Sequence, residues 1–216
     1  MEDATRALLG LWDVADANVR ALAPGDWART LPGAGPGPAD VAELAVHLTG
    51  VHYAGPDTLR AALGAARHRA VAQLADRVAG DPVLGAQCLD MCLHVHDLTA
   101  ALGAPADLRD HEPAAREACR LVLRVLPRLL VAAVGADDAT LRLAVRAGDD
   151  RAVHVSHGHV VPADGDTVDA VEIDPGGLLL LLTGRLDAES LRAAGALDWS
   201  GPAADAFVHR ARLLAA

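Results

Sequence analysis

The segment QCLDMCLHVHDLTAALG (Gln87–Gly103) predicts a long helix around which the rest of the chain is arranged. It contains neither Pro nor Gly until Gly103, which is suited to end a helix. Asp90, His94 and Asp97 stand at positions i, i+4 and i+7, so they share one helix face. A carboxylate one turn before an imidazole allows both side chains to reach one metal ion. The alternative interpretation is a solvated stripe with an ordinary Asp/His pair.

The composition is that of an acidic globular protein. The chain has 216 residues, of which 52% are hydrophobic and 22% charged, enough for one large or two small domains. Its formal net charge is −10, and its 19 basic residues are all Arg. A chain so acidic is not expected to bind nucleic acid or an anionic membrane. We expect a small-molecule substrate, and a monomer or a homodimer.

The cysteines and the chain start favour a cytoplasmic protein. An odd number of cysteines without a regular spacing predicts buried thiols and no disulfide framework. Glu2 and Asp3 precede any apolar run, which is unlike a signal peptide. The apolar run Leu178–Leu182 is far too short to cross a bilayer. The three cysteines are Cys88, Cys92 and Cys119.

Apolar residues at spacings of three and four predict an antiparallel helical bundle in the first part of the chain. The first helix is expected over residues 3–22, with Trp12 on its apolar face. The second is expected to begin near Asp40 and to be stopped by Gly55 and Pro56. The others are expected over residues 57–78, from Pro82 with Asp81 as N-cap, and over Pro113–Val134.

The second helix carries a further candidate ligand, His47. This residue borders the apolar stripe that Val41, Leu44 and Leu48 form, and Glu43 lies one turn earlier. A histidine at such a border is a metal ligand in one interpretation and a satisfied boundary residue in the other.

The hydrophobic pattern changes near residue 135. Alternating apolar residues predict strands at Thr140–Val145, Arg151–Ser156, His159–Val161 and Gly165–Asp174. Helices are expected at Pro175–Arg185, Leu191–Ala194 and Pro202–Leu214, with a short strand at Ala196–Trp199. The fold class is therefore α+β, a helical bundle followed by a compact unit of strands and helices.

Three segments together resemble the mycothiol-dependent maleylpyruvate isomerase family. VAELAVHLTGVH (Val41–His52) is similar to the family's second-helix motif, and its metal-binding histidine falls on His47. LDMCLHVHDLTAALG (Leu89–Gly103) resembles the family's carboxylate–histidine segment. VDAVEIDPGGLLLLLTGR (Val168–Arg185) resembles a strand, helix and turn of its C-terminal domain.

The resemblance implies a specific architecture and chemistry. Residues 1–134 would form a DinB-like four-helix bundle, and residues 135–216 a small sterol-carrier-protein-like α+β domain. His47, Asp90 and His94 would bind a divalent metal, with zinc implied by the resemblance and ferrous iron compatible with the ligands. Mycothiol would be the thiol cosubstrate, for isomerisation of an activated alkene or for S-transfer.

Two further residues have expected roles beside this ligand set. Asp97 is a candidate acceptor that orients His94 or its neighbour, and otherwise a plain polar contact near the helix end. Arg185 is a candidate for binding a carboxylate of the substrate or the thiol, and otherwise a helix-terminal Arg. The segment HVSHGH (His154–His159) is a candidate second metal cluster, or exposed hairpin residues.

The chain departs from the family pattern in two places, and these leave other functions open. The usual Glu ligand is replaced by Asp90, whose reach is shorter by roughly 1.5 Å. The segment between His52 and Gln87 is also shorter than in the family. A binding or regulatory protein with a decayed metal site is one alternative, and an enzyme recruited to a tailoring or cyclisation step on a secondary metabolite is another.

Overall fold

The computed structural model shows a mostly helical chain with one small mixed sheet, which confirms the α+β class. The chain divides into two compact units, Met1–Ala118 and Cys119–Ala216. The structure describes residues 3–32, 37–52, 55–74, 76–134, 139–146, 149–156, 159–162 and 169–212.

The first unit is built from helices that bury their apolar faces against one another. Helix α1 packs against α3 and α4, and α2 packs against α3 and α4. Leu8, Leu44 and Leu84 are among the fully buried side chains of this core. The helices are α1 (Asp3–Ala21), α2 (Val41–Thr49), α3 (Pro56–Leu74) and α4 (Pro82–Ala101), with short 3-10 turns at Pro24–Ala28 and Leu108–His111. Helix α5 (Glu112–Val134) begins in this unit, and its residues from Cys119 onward belong to the second.

Local sequence signals fix the ends of the two helices that matter most for the candidate site. The Asp40 carboxylate accepts a hydrogen bond from the Glu43 N–H at 2.8 Å and caps the start of α2. The predicted extension of α2 toward Gly55 was wrong, because Gly50 adopts φ 69 and ends the helix there. At α4 the prediction is confirmed, since Asp81 accepts from the N–H of Val83 at 2.7 Å.

The second unit contains a five-stranded sheet in the order β3-β2-β1-β4-β5. Neighbouring strands are antiparallel except β1 and β4, which run parallel with Leu143 opposite Val171. Helix α6 is apolar and buried along its whole length. The strands are β1 (Ala139–Val145), β2 (Asp149–Ser156), β3 (His159–Pro162), β4 (Asp169–Ile173) and β5 (Leu197–Ser200), and the helices are α6 (Pro175–Leu182), α7 (Ala188–Ala193) and α8 (Pro202–Arg210).

The predicted domain boundary and the division into compact units differ in position. The change of pattern near residue 135 coincides with the end of α5 at Val134. The compact units divide at Ala118, within that helix. A hydrophobic pattern indicates where helix gives way to strand, but it does not indicate at which residue of a continuous helix one compact unit ends and the next begins.

None of the described helices combines the length and the apolar content needed to cross a membrane.

Candidate metal centre

Two helices of the first unit bring the candidate ligands together. His47 lies in the last turn of α2, and Asp90 and His94 lie one turn apart in the middle of α4. Helices α2 and α4 pack against each other. The His47 side chain therefore meets the α4 pair across a helix–helix contact, and the three residues predicted from the sequence do converge.

The ligand atoms are close enough for one ion. Oδ1 of Asp90 lies 3.1 Å from Nε2 of His94 and 3.6 Å from Nε2 of His47. The two imidazole rings meet edge to face, with centroids 4.6 Å apart and planes inclined by 65°. One donor atom from each residue lies within 4.8 Å of the others.

These distances fit a divalent ion such as zinc. Two ligands at roughly 2.0–2.1 Å from a tetrahedral zinc lie ~3.3 Å from each other, a value between the two measured separations. Both ring nitrogens of His94 are buried without a hydrogen-bond partner, so its close contact with Asp90 is not an aligned hydrogen bond. A buried imidazole with unused nitrogens, beside a carboxylate and a second imidazole, is a donor set that a cation would satisfy.

The three ligands differ in exposure. The side chain of His94 is 10% exposed, whereas those of Asp90 and His47 are 42% and 49% exposed. His94 is thus held by its packing, while the other two residues face solvent. Two imidazoles and one carboxylate leave coordination positions free, as catalytic metal sites require.

The protonation state of Asp90 suits ligation. Burial acts to raise the pKa of the Asp90 carboxyl, but the neighbouring imidazoles of His94 and His47 outweigh burial. The pKa consequently lies below its ordinary value, and the carboxylate is ionised at neutral pH.

The ligands open onto a cleft of about 440 Å³. This volume lies within the range of small-molecule binding sites. Its lining combines the two exposed ligands, His47 and Asp90, with Trp12, Leu48, Ala86 and Gln87.

The sequence did not identify Trp12 and Gln87 as parts of the site. Trp12 was assigned to the apolar face of the first helix, and it is indeed buried. Gln87 precedes Asp90 by three residues and so shares its face, a signal that was available in the sequence. No comparable signal places Trp12 in the same cleft as His47, because the two residues lie on separate helices and share the cleft only through tertiary packing.

The two other predicted residues stand apart from the ligand set. Asp97 is buried in α4, but His94 donates to no acceptor, so the expected hydrogen bond between them is not formed. Its expected role toward the neighbour of His94, and the alternative of a polar contact near the helix end, both stay predictions. Arg185 follows α6 in the second unit, where its backbone N–H bonds to the carbonyl of Leu180 at 2.9 Å, and its anion-binding role stays a prediction.

The HVSHGH segment (His154–His159) cannot be assigned a metal cluster from the structure. His157 lies outside the described residues, and only the backbone is described at His154 and His159.

The chain matches no family model and no curated protein. Among solved structures it is similar to a double mutant of the sec-alkyl sulfatase PisA1, with 17% sequence identity and a TM-score of 0.34. That match covers 77% of this chain and 31% of the sulfatase, so the chain spans about a third of the length of that structure. At this level of similarity the match assigns no family to the chain.

Proposed function

We propose that the chain is a divalent-metal enzyme that uses a low-molecular-weight thiol to isomerise, or to transfer sulfur to, a small activated substrate. The observation that carries this proposal is the convergence of His47, Asp90 and His94 within 4.8 Å at the wall of an open cleft. The family resemblance supports zinc as the ion and mycothiol as the thiol.

The proposal includes the finer architecture that the resemblance implies. The first part of the chain would be a DinB-like bundle and the last part a sterol-carrier-protein-like domain. The protein would act in the cytoplasm as a monomer or a homodimer. These statements rest on the resemblance and on the α+β class.

The chain's own residues would hold the ion and keep one side of it open. His94 supplies a buried imidazole, and Asp90 supplies a carboxylate that is ionised at neutral pH. A bound zinc ion would stabilise the thiolate form of an added thiol at neutral pH. None of the described residues that line the cleft is a cysteine, and this favours an external thiol.

The reaction itself needs only the thiolate and an electron-poor alkene. The sulfur adds to the carbon β to a carbonyl, and the π electrons of the alkene move toward the carbonyl oxygen. Rotation about the resulting single bond, followed by loss of the same thiolate, restores the alkene in the trans geometry. If the adduct is released instead, the carbanion takes up a proton and the reaction is S-transfer.

Metal analysis of the purified chain is the first test. We expect about one zinc ion per chain after reconstitution, and its loss in His47→Ala and in His94→Ala. His68→Ala is the matched control, because His68 is exposed on α3 and is not one of the three ligands. A wild-type chain that retains no zinc, or variants that retain it fully, would contradict the proposal.

Thiol dependence is the second test. Turnover of an electron-poor cis-alkene should require both zinc and mycothiol, and His94→Ala should abolish it. A chain that binds zinc but shows no thiol-dependent turnover would support the alternative of a binding or regulatory protein.

A further inference from the structure

The two helices that carry the ligand set bring only acidic charges to the cleft. Apart from histidines, the charged residues are Glu43 in α2 and Asp90 and Asp97 in α4, and neither helix contains an arginine. The chain has no lysine. On the neighbouring α3, the guanidinium of Arg69 donates to the carbonyl of Thr49 at 2.9 Å, and Arg69 is not among the residues that line the cleft. Among the described residues of the cleft wall, positive charge therefore comes from a bound ion.

That positive charge is fully balanced once a thiol is bound. A divalent ion contributes two positive charges, and the Asp90 carboxylate and the thiolate each contribute one negative charge. His47 and His94 would bind the ion as neutral imidazoles. A substrate that approaches the sulfur consequently meets no surplus of positive charge, and nothing offsets the cost of removing its carboxylate from water.

The walls of the cleft favour an uncharged group at the same place. Leu48 and Ala86 supply apolar surface, and Gln87 has a neutral side chain. Asp90 lines the cleft as well, and its side chain is 42% exposed. A carboxylate of a substrate would be repelled by this charge, whereas an ester, an amide or a ketone would not.

We propose that the cleft selects substrates whose electron-poor alkene bears uncharged groups, such as esters, amides or ketones, over the corresponding carboxylates. This inference deepens the proposed function and rests on it, because it assumes that a thiolate occupies the metal site.

Calorimetric titration of the zinc-loaded full chain tests the inference without any turnover. The probes are 3-mercaptobenzamide and 3-mercaptobenzoate, which have a similar size and shape and differ in charge. The meta position keeps the carboxylate away from the ion that the sulfur binds. We expect the amide to bind about tenfold more tightly, because the carboxylate finds no cation in the cleft. Equal affinities, or tighter binding of the carboxylate, would overturn the inference.

Gln87→Arg should reduce or reverse this preference. Gln87 lines the cleft one turn before Asp90, so an arginine there puts a cation beside the bound thiol without replacing a ligand. We expect the ratio of the two affinities to shift by about tenfold toward 3-mercaptobenzoate. The intrinsic difference between the two thiols is the same in both chains and cancels in this comparison. A folded variant with an unchanged ratio would contradict the inference, and if the variant does not fold, the wild-type titration decides.

Gln73→Arg is the matched control. It makes the same exchange, with the same change of net charge, at an exposed position in the last turn of α3. Gln73 is not among the residues that line the cleft. The ratio of affinities should therefore equal that of the wild type. A shift as large as that of Gln87→Arg would show that the net charge of the chain, and not the cleft, governs the preference.

Turnover of two matched alkenes extends the test from thiols to substrates. Dimethyl maleate is uncharged, and maleate carries two carboxylates. For each alkene, kcat/KM is divided by the rate constant of its isomerisation by the same thiol in free solution, which removes the difference in intrinsic reactivity. This quotient should be about tenfold larger for dimethyl maleate, and Gln87→Arg should narrow the difference. A larger quotient for maleate in the wild type would overturn the inference.

The inference and the proposed function fail in different ways. A chain that binds no zinc, or a zinc-loaded chain that binds neither thiol, contradicts the proposed function and the inference with it. A zinc-loaded chain that binds both thiols with equal affinity overturns the inference alone.

Discussion

The two faces of α4 place residues capable of binding metal in opposite surroundings. On one face, Asp90 is 42% exposed, and its pKa is lowered by the imidazoles of His94 and His47. On the other, Cys88 is fully buried, and burial together with the charge of Glu117 raises the pKa of its thiol to about 12. Both residue types can bind zinc, but only in the deprotonated form. The surroundings, and not the residue types, therefore decide which face of the helix can hold an ion.

The largest effect that we expect from this contrast concerns thiol reactivity. A pKa near 12 leaves about a thousandfold less thiolate at neutral pH than a thiol with its ordinary value would have. Cys92 and Cys119 are buried as well. Iodoacetamide at pH 7.5 should leave all three thiols of the native chain unmodified and alkylate all three after unfolding, as counted by mass spectrometry. Rapid labelling of Cys88 in the native chain would contradict the contrast.

Placing a carboxylate on the buried face of α4, at Cys88, should lower the free energy of unfolding more than the other substitutions proposed for α4. Cys88→Asp places an acidic group at a fully buried position, where the charge of Glu117 already raises the pKa of the native thiol. We expect a loss of about 3–5 kcal/mol in the free energy of unfolding, the usual cost of an uncompensated buried charge. Urea unfolding of the metal-free chain measures it.

The reciprocal substitution is the control for that experiment. Asp90→Cys puts a small thiol on the half-exposed face, where no buried charge is created. Its free energy of unfolding should stay within about 1 kcal/mol of the wild type. Equal losses for the two variants would show that the two faces do not differ as described.

Zinc should stabilise the chain only through the face of α4 that carries Asp90 and His94. At a free zinc concentration one hundred times the dissociation constant, the free energy of unfolding should rise by about 2.7 kcal/mol. His94→Ala should lose this gain, whereas Cys88→Ala should keep it. Thermal unfolding with and without zinc measures both, and a gain that depends on Cys88 would place the ion elsewhere.

The smallest effect concerns the pH dependence of the metal-free chain. Because the folded pKa of Asp90 lies below its unfolded value of about 3.9, its ionised form stabilises the fold above that value. This contribution is lost as the pH falls through the folded pKa. The side chain is 42% exposed, so the contribution should stay below about 1 kcal/mol.

Asp90→Asn measures directly how much the ionised carboxylate of Asp90 contributes to the free energy of unfolding. The variant should be slightly less stable than the wild type at pH 7, and the difference should shrink in acid. A difference that grows as the pH falls would show that Asp90 is not stabilised by the two imidazoles.

Much of the helical architecture was readable in the sequence because it depends on local chemistry. Asp81 and Pro82 mark the start of α4. The structure confirms Asp81 as the N-cap and Pro82 as the first residue of the helix. The end of α2 was misplaced because Pro56 was interpreted as the stop for α2, whereas it begins α3. Gly50 was the true stop, and a single glycine that adopts a positive φ is a weak signal within an apolar run.

The ligand set was predictable to different degrees for its members. Asp90 and His94 share one helix, so their proximity follows from helical geometry. His47 was connected to them by the family resemblance, and the structure brings the three together. The hydrogen bond expected between Asp97 and His94 is absent, because residues on one broad face of a helix need not point toward each other.

The sequence by itself determined the approximate positions of the helices, the Asp81 cap of α4, the change to strands near residue 135, and the one-turn spacing of Asp90 and His94. These features depend on backbone propensity and on interactions between residues close in the chain. Only the tertiary structure decided that His47 meets that pair, that Trp12 lines the same cleft, and that Cys88 is buried beside Glu117. Such contacts depend on how helices distant in sequence pack together, and packing also sets the exposure and the charges that determine which side chains can bind a metal ion.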